Sequence, residues 1–114
     1  MDRFAEAVTA RGITAFRRID HAAMAEKAGL ALRPTEVLLF GNPKVGTLLM
    51  QADQTAGIDL PLKALVWQDA GNKTWLGYND PGWIAQRHHL GSDRQDTIGK
   101  MTATLAASAK EAAG

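Results

Sequence analysis

Three short stretches of this chain carry residues able to do chemistry. In the first, Asp20 is followed directly by His21. Histidine titrates near neutrality, and a neighbouring carboxylate can orient or ionise it. The pair therefore suits a general base with its partner. It also suits a structural use, with Asp20 capping the next helix and His21 bonded to a backbone group. In the second stretch, Asp59 leads into Leu60-Pro61-Leu62. A carboxylate there acts as a base if it faces a cleft, or caps backbone N–H groups beside a rigid proline turn. The third is His88-His89, which with His21 and Met50 offers metal or haem ligands. Adjacent histidines on a helix point about 100° apart, so they rarely meet one ion. There is no His-x-x-x-His, no Cys-x-x-Cys-His and no cysteine of any kind. The expectation is no metal and no cofactor, with His88 and His89 at the surface.

A fourth stretch, "EVLLFGNPKVGTLLM" from Glu36 to Met50, imitates a nucleotide-binding loop. Gly41 and Gly46 have the spacing of G-x-x-x-x-G-K-[ST], and Thr47 follows. The lysine between the second glycine and the hydroxyl is absent; Lys44 lies inside the loop instead. Pro43 removes an N–H group that would point at phosphate. Asn42-Pro43 fits an N-cap and a first helical residue, so the stretch is expected to be a tight strand-to-helix corner.

The elements that must position these groups can be read from periodicity and punctuation. Residues 2–11 suit a helix with Phe4 and Val8 on one face and Gly12 past its end. Residues 13–19 suit a strand, and residues 20–29 a short helix between Asp20 and Gly29. A second strand over 36–41 and a helix over 43–53 follow. Strands over 62–69 and 73–79 flank "AGNK", a hairpin signal, so they must be antiparallel. Trp67 and Trp75 then pack across adjoining strands, with Tyr78 nearby. Asp80-Pro81 opens a further helical turn. The last helix runs over 93–112, with a capping-box pattern at Ser92 and Gln95. Ile98, Met101, Leu105, Ala109 and Ala112 form its apolar stripe, opposite a face of Thr, Ser, Lys and Ala. The fold class is α+β, a mostly antiparallel sheet on a long C-terminal helix. "VLLF" does not alternate, so that strand is expected to be covered on both faces, the second by short helices or another chain. Phe40, Leu49 and Met50 have core spacings.

At 114 residues the chain is read as one domain over 1–114. Thirteen Lys+Arg against twelve Asp+Glu give a net charge of +1, with the signs interspersed. No basic stripe points to nucleic acid. No apolar run approaches the ~20 residues that span a bilayer, and no leader is visible, so the expectation is a cytoplasmic protein without a membrane partner.

"RPTEVLLFGNPKVGTLLMQ" (Arg33 to Gln51), "IDHAAMAEKAGL" (Ile19 to Leu30), "DLPLKALVWQD" (Asp59 to Asp69) and "YNDP" (Tyr78 to Pro81) together resemble the DUF302 family over about residues 2–90. The resemblance implies a TBP-like sheet of order β-α-β-β-β-β-α, often a homodimer, with no settled activity. The chain departs from it by beginning at the first helix, without the strand that normally precedes it. An edge left open there would invite pairing with another chain.

Three functions fit. The first is a homodimeric small-molecule-binding or accessory domain using a cleft near the 41–50 corner. Its expected ligand-binding residues are Asp20, His21, Phe40, Gly41, Asn42, Thr47, Met50, Asp59, Tyr78 and Asn79. The second is an enzyme with His21 as base and Asp20 or Asp59 as partner. The third is a structural dimerisation module, which needs no polar pocket.

Overall fold

In the computed structural model, which describes residues 1–114, the Gly71-Asn72 turn sets the direction of the sheet. Asn72 adopts a left-handed φ of 63°, a conformation asparagine tolerates in hairpin turns. The Asp69 carboxylate ties the turn down, accepting from the N–H groups of Gly71 at 2.9 Å and Lys73 at 3.0 Å. Strands β3 (Leu62–Gln68) and β4 (Thr74–Tyr78) therefore run antiparallel. Strand β2 (Thr35–Gly41) pairs with the other edge of β3, and β1 (Thr14–Asp20) pairs with β2. Every pairing is antiparallel and the spatial order is β1-β2-β3-β4.

Helix α1 (Asp2–Ala10) precedes β1, α2 (His21–Lys27) follows it, and α3 (Pro43–Ala52) leaves β2. Helix α4 (Pro81–Arg87) follows β4, and α5 (Gln95–Ala113) closes the chain. The caps read from the sequence form at three helix starts. Asp20 accepts from Ala23 N–H at 2.9 Å, Asn42 from Lys44 N–H at 3.0 Å, and Asp80 from Gly82 N–H at 2.9 Å. Gly12 and Gly29 end α1 and α2 at φ 77° and 78°, where any other residue would be strained.

Phe4 and Val8 of α1, Leu38 and Phe40 of β2, Leu62 and Ala64 of β3, Ile84 of α4 and Leu105 of α5 form the main core. Phe4 meets Phe40 edge-on, ring centroids 5.3 Å apart. Each such side chain contributes roughly 1.5–3 kcal/mol on burial. Leu49, Ala85 and Ile98 form a smaller cluster joining α3, α4 and α5.

Two expectations are corrected, and one element is added. The Ser92/Gln95 capping box does not form. Ser92–Arg94 is a 3-10 turn, which makes Gln95 the first residue of α5 and leaves Arg94, with no side-chain oxygen, at the N-cap position. Between the helix and strand expected on either side, Gln54–Asp59 forms a 3-10 helix started by Asp53, whose carboxylate accepts from Thr55 N–H at 2.9 Å. Within this chain "VLLF" is covered on one face only: Leu38 and Phe40 are buried, whereas Val37 and Leu39, which point the other way, are half-buried. Leu65 and Trp67 of β3 continue this open face, and Trp67 leans over Gly77, where a Cβ would meet its ring at 3.3 Å. No helix is long and apolar enough to cross a membrane.

Candidate functional site

The tight corner from β2 into α3 opens one side of a cleft of about 550 Å³. Gly41 forms part of its floor because no side chain separates Phe16 from Pro61. A Cβ on Gly41 would already touch both, at 3.7 and 4.0 Å. The first wall is α3, through Val45, Gly46, Thr47, Leu48 and Met50. At Gly46 this helix lies against Leu60, whose Cδ1 would make ordinary contact, at 3.8 Å, with an added Cβ. Leu60, Pro61 and Leu62 form the base, with the Leu60–Pro61 peptide in the cis form. The opposite wall is one face of α5, where Thr97, Lys100, Met101, Thr104 and Leu105 follow helical spacing. Arg11 and Ile13 close one end. The volume lies within the roughly 300–1,000 Å³ common for small-molecule sites.

Of the residues expected from the sequence, Gly41, Asn42, Thr47 and Met50 line this cleft. Phe40 lies beneath it, fully buried in the core. Asp20 and His21 are exposed at the start of α2, outside the cleft, and Asp20 is occupied as a cap. Tyr78 and Asn79 are exposed at the end of β4, also outside it. The α5 wall is not among the sequence expectations: Met101 and Leu105 belong to the apolar stripe, but Thr97, Lys100 and Thr104 lie beside it, with nothing in their pattern to mark a cavity.

Asp59 belongs to a different cluster. It is buried at the end of the 3-10 helix and accepts from Arg87 Nη1 at 2.9 and 3.1 Å. Its Oδ2 lies 2.5 Å from Nε2 of His88. His88 is buried too, at 8% exposure, which corrects its reading as a surface residue. Its Nδ1 stands 3.4 Å from the Thr55 hydroxyl, which donates to Asp53 at 2.6 Å. These bonds from Thr55 hold the Asp53 carboxyl below its ordinary pKa. The hydroxyl-imidazole-carboxylate order superficially suits nucleophilic catalysis. The Thr55 proton is directed at Asp53, however, and none of these residues reaches the cleft. The cluster pins the 3-10 helix to α4. His21 lies elsewhere, at the exposed start of α2, whereas His89 stands near enough for its charge to help lower the Asp53 carboxyl; even so, no three His, Cys, Asp or Glu side chains gather as a metal site.

A four-stranded antiparallel meander carrying helices on one face, with an apolar cleft at the β2–α3 corner, is an α+β domain of the kind the sequence blocks implied. The model of DUF302, a domain of unknown function, matches residues 1–108, and the chain belongs to that family. The crystal structure of an uncharacterized conserved DUF302 protein from Bacillus stearothermophilus shares the fold, with a TM-score of 0.84. At 20% identity it covers 97% of this chain and 86% of its own. Among curated proteins the chain is 46% identical over all 114 residues to fluoride-specific ion channel FluC 1 of Brucella suis biovar 1. It matches FluC 1 of Brucella abortus biovar 1 at the same identity. The chain spans 45% and 42% of those two relatives, less than half of each.

Proposed function

We propose that this domain is a small-molecule-binding accessory module that works as a homodimer. The observation that carries the reading is the cleft between α3 and α5, roomy, mostly apolar and furnished with a few polar groups. A purely structural module needs no such cavity. A base at His21 needs a carboxylate beside it, but Asp59 is held by Arg87 and His88 and Asp20 caps α2. The open sheet face, with Val37, Leu39 and Leu65 half-buried, supports a second copy as its cover. The curated relatives are named as fluoride channels and are more than twice as long as the matched segment. We read this domain as the counterpart of an accessory portion of such proteins, working on the cytoplasmic side.

The test of binding is titration with Nile red, an uncharged apolar fluorophore. Enhanced emission that is lost in Thr47→Trp, which fills the cleft from an exposed helix position, supports the reading. Emission unchanged by protein, or unaffected by that substitution, overturns it. For assembly, light scattering should give a dimer, and Leu65→Lys a folded monomer. A wild-type monomer at high micromolar concentration removes the dimer.

A further inference from the structure

The polar groups of the cleft are unevenly placed, and their chemistry narrows the ligand. Only two charged side chains line it, Arg11 and Lys100, and both are cations. No Asp or Glu reaches the cavity. Arg11 is already committed, donating through Nη1 to Glu111 at 2.7 Å and to the Ala7 carbonyl at 2.9 Å. Lys100 makes no ion pair and no hydrogen bond within the chain. Thr97 and Thr104 flank it at three and four residues' distance on the same face of α5, and neither hydroxyl is bonded within the chain. Thr47, by contrast, donates to the Pro43 carbonyl at 2.7 Å. One wall thus presents a free ammonium between two free hydroxyls. Facing it are Val45, Leu48, Met50 and Leu60, which have nothing to offer a polar group.

We infer that the cleft takes an amphipathic monoanion, an apolar body lying against α3 and Leu60 with a carboxylate-type head on Lys100, Thr97 and Thr104. The inference rests on the small-molecule reading above and adds the ligand's class to it. A small hydrated anion such as fluoride would leave the apolar walls uncovered. A cationic amphiphile would set its charge against Lys100 and Arg11. Because Lys100 is exposed, its attraction for the head weakens with added salt, whereas the apolar contacts do not.

The experiment is displacement of Nile red by decanoate, decanol, decyltrimethylammonium and sodium fluoride. It uses wild type, Lys100→Gln, and Lys44→Gln as a control for overall charge, since Lys44 lies outside the cleft lining. All variants are first checked for unchanged melting. The expected result is that decanoate displaces at roughly tenfold lower concentration than decanol, a difference of about 1.4 kcal/mol. Lys100→Gln should remove that advantage while decanol stays as effective, and Lys44→Gln should preserve it. Equal displacement by decanoate and decanol in wild type overturns the inference, as does an advantage that survives Lys100→Gln. Displacement by fluoride alone or by the cationic amphiphile first does the same. In each of those cases Nile red still binds and is blocked by Thr47→Trp, so the small-molecule reading stands; absence of Nile red binding removes that reading instead.

Discussion

Asp59 and His88 meet inside the protein, carboxylate to imidazole at 2.5 Å, although 29 residues separate them. Both are buried, and Arg87 supplies the carboxylate with a second partner from the same helix. Removing Asp59 strands His88, and removing His88 leaves the buried carboxylate with the half-exposed Arg87 alone. Asp59→Ala should therefore cost about 3 kcal/mol in urea denaturation, and His88→Ala less, because Arg87 still holds the carboxylate. The double replacement Asp59→Leu/His88→Leu should cost less than the sum of the two single ones. Additive losses would show that the two side chains do not act as a unit.

The corner at Gly41-Asn42-Pro43 caps a helix, and its resemblance to a phosphate loop ends at the spacing. Asn42 already takes the Lys44 N–H, and Pro43 has none to give. Asn42→Ala should cost about 1 kcal/mol with no ligand present. Millimolar ATP with Mg²⁺ should raise melting no more than phosphate at matched ionic strength. A shift of several degrees that needs Mg²⁺ and disappears in Thr47→Ala would identify a nucleotide site.

Part of the acid sensitivity should trace to Asp69, alongside Asp53 and Asp2, whose carboxyls are also held low. Its bond from Trp75 Nε1, at 2.8 Å, together with those from the Lys73 and Gly71 amides, holds its carboxyl below the ordinary pKa. A carboxylate with a lowered folded pKa stabilises the fold at pH values above its unfolded pKa. That contribution fades as pH falls below about 4 and through the folded value. Asp69→Asn should lower stability at neutral pH and flatten the acid limb of a melting-against-pH curve. Parallel curves for the two proteins would place the acid-labile group elsewhere.

Helices, strands and caps were legible because their signals are local. Asp20, Asn42 and Asp80 stand directly before helices, and Gly71-Asn72 sits between two apolar runs. The strand-to-helix corner of the cleft was legible for the same reason. What stayed hidden depends on distant partners. Asp59 could be recognised as a carboxylate near a proline but not as the partner of Arg87 and His88, since nothing in a linear pattern joins positions 28 and 29 residues apart. The α5 wall was hidden for another reason. Thr97, Lys100 and Thr104 flank the apolar stripe, and a polar residue beside a stripe looks the same whether it borders a cavity or solvent. Ser92 and Gln95 misled because a three-residue 3-10 turn shifts the helix start past the box.

Elemental analysis of untagged protein should find no transition metal in stoichiometric amount. His88 is committed to Asp59 and Thr55, and no three His, Cys, Asp or Glu side chains gather where an ion could be held. One metal per chain, lost in His21→Ala or His88→Ala, would reverse this expectation.

The meander order has a kinetic side. Each strand pairs with its neighbour in the chain, through a short turn at 69–73 and longer helical connections at 21–34 and 42–61, and closure entropy rises only slowly with such lengths. The docking of α1 on α5 is the opposite case: the Arg11–Glu111 pair joins residues 100 positions apart. Assembly should begin with the β2–β3–β4 ribbon and end when the two terminal helices come together over it. Hydrogen exchange should show the same hierarchy in the native state. Amides of β3 should open only with global unfolding, while those of α1 exchange through a smaller, earlier excursion that lifts this helix from Phe40.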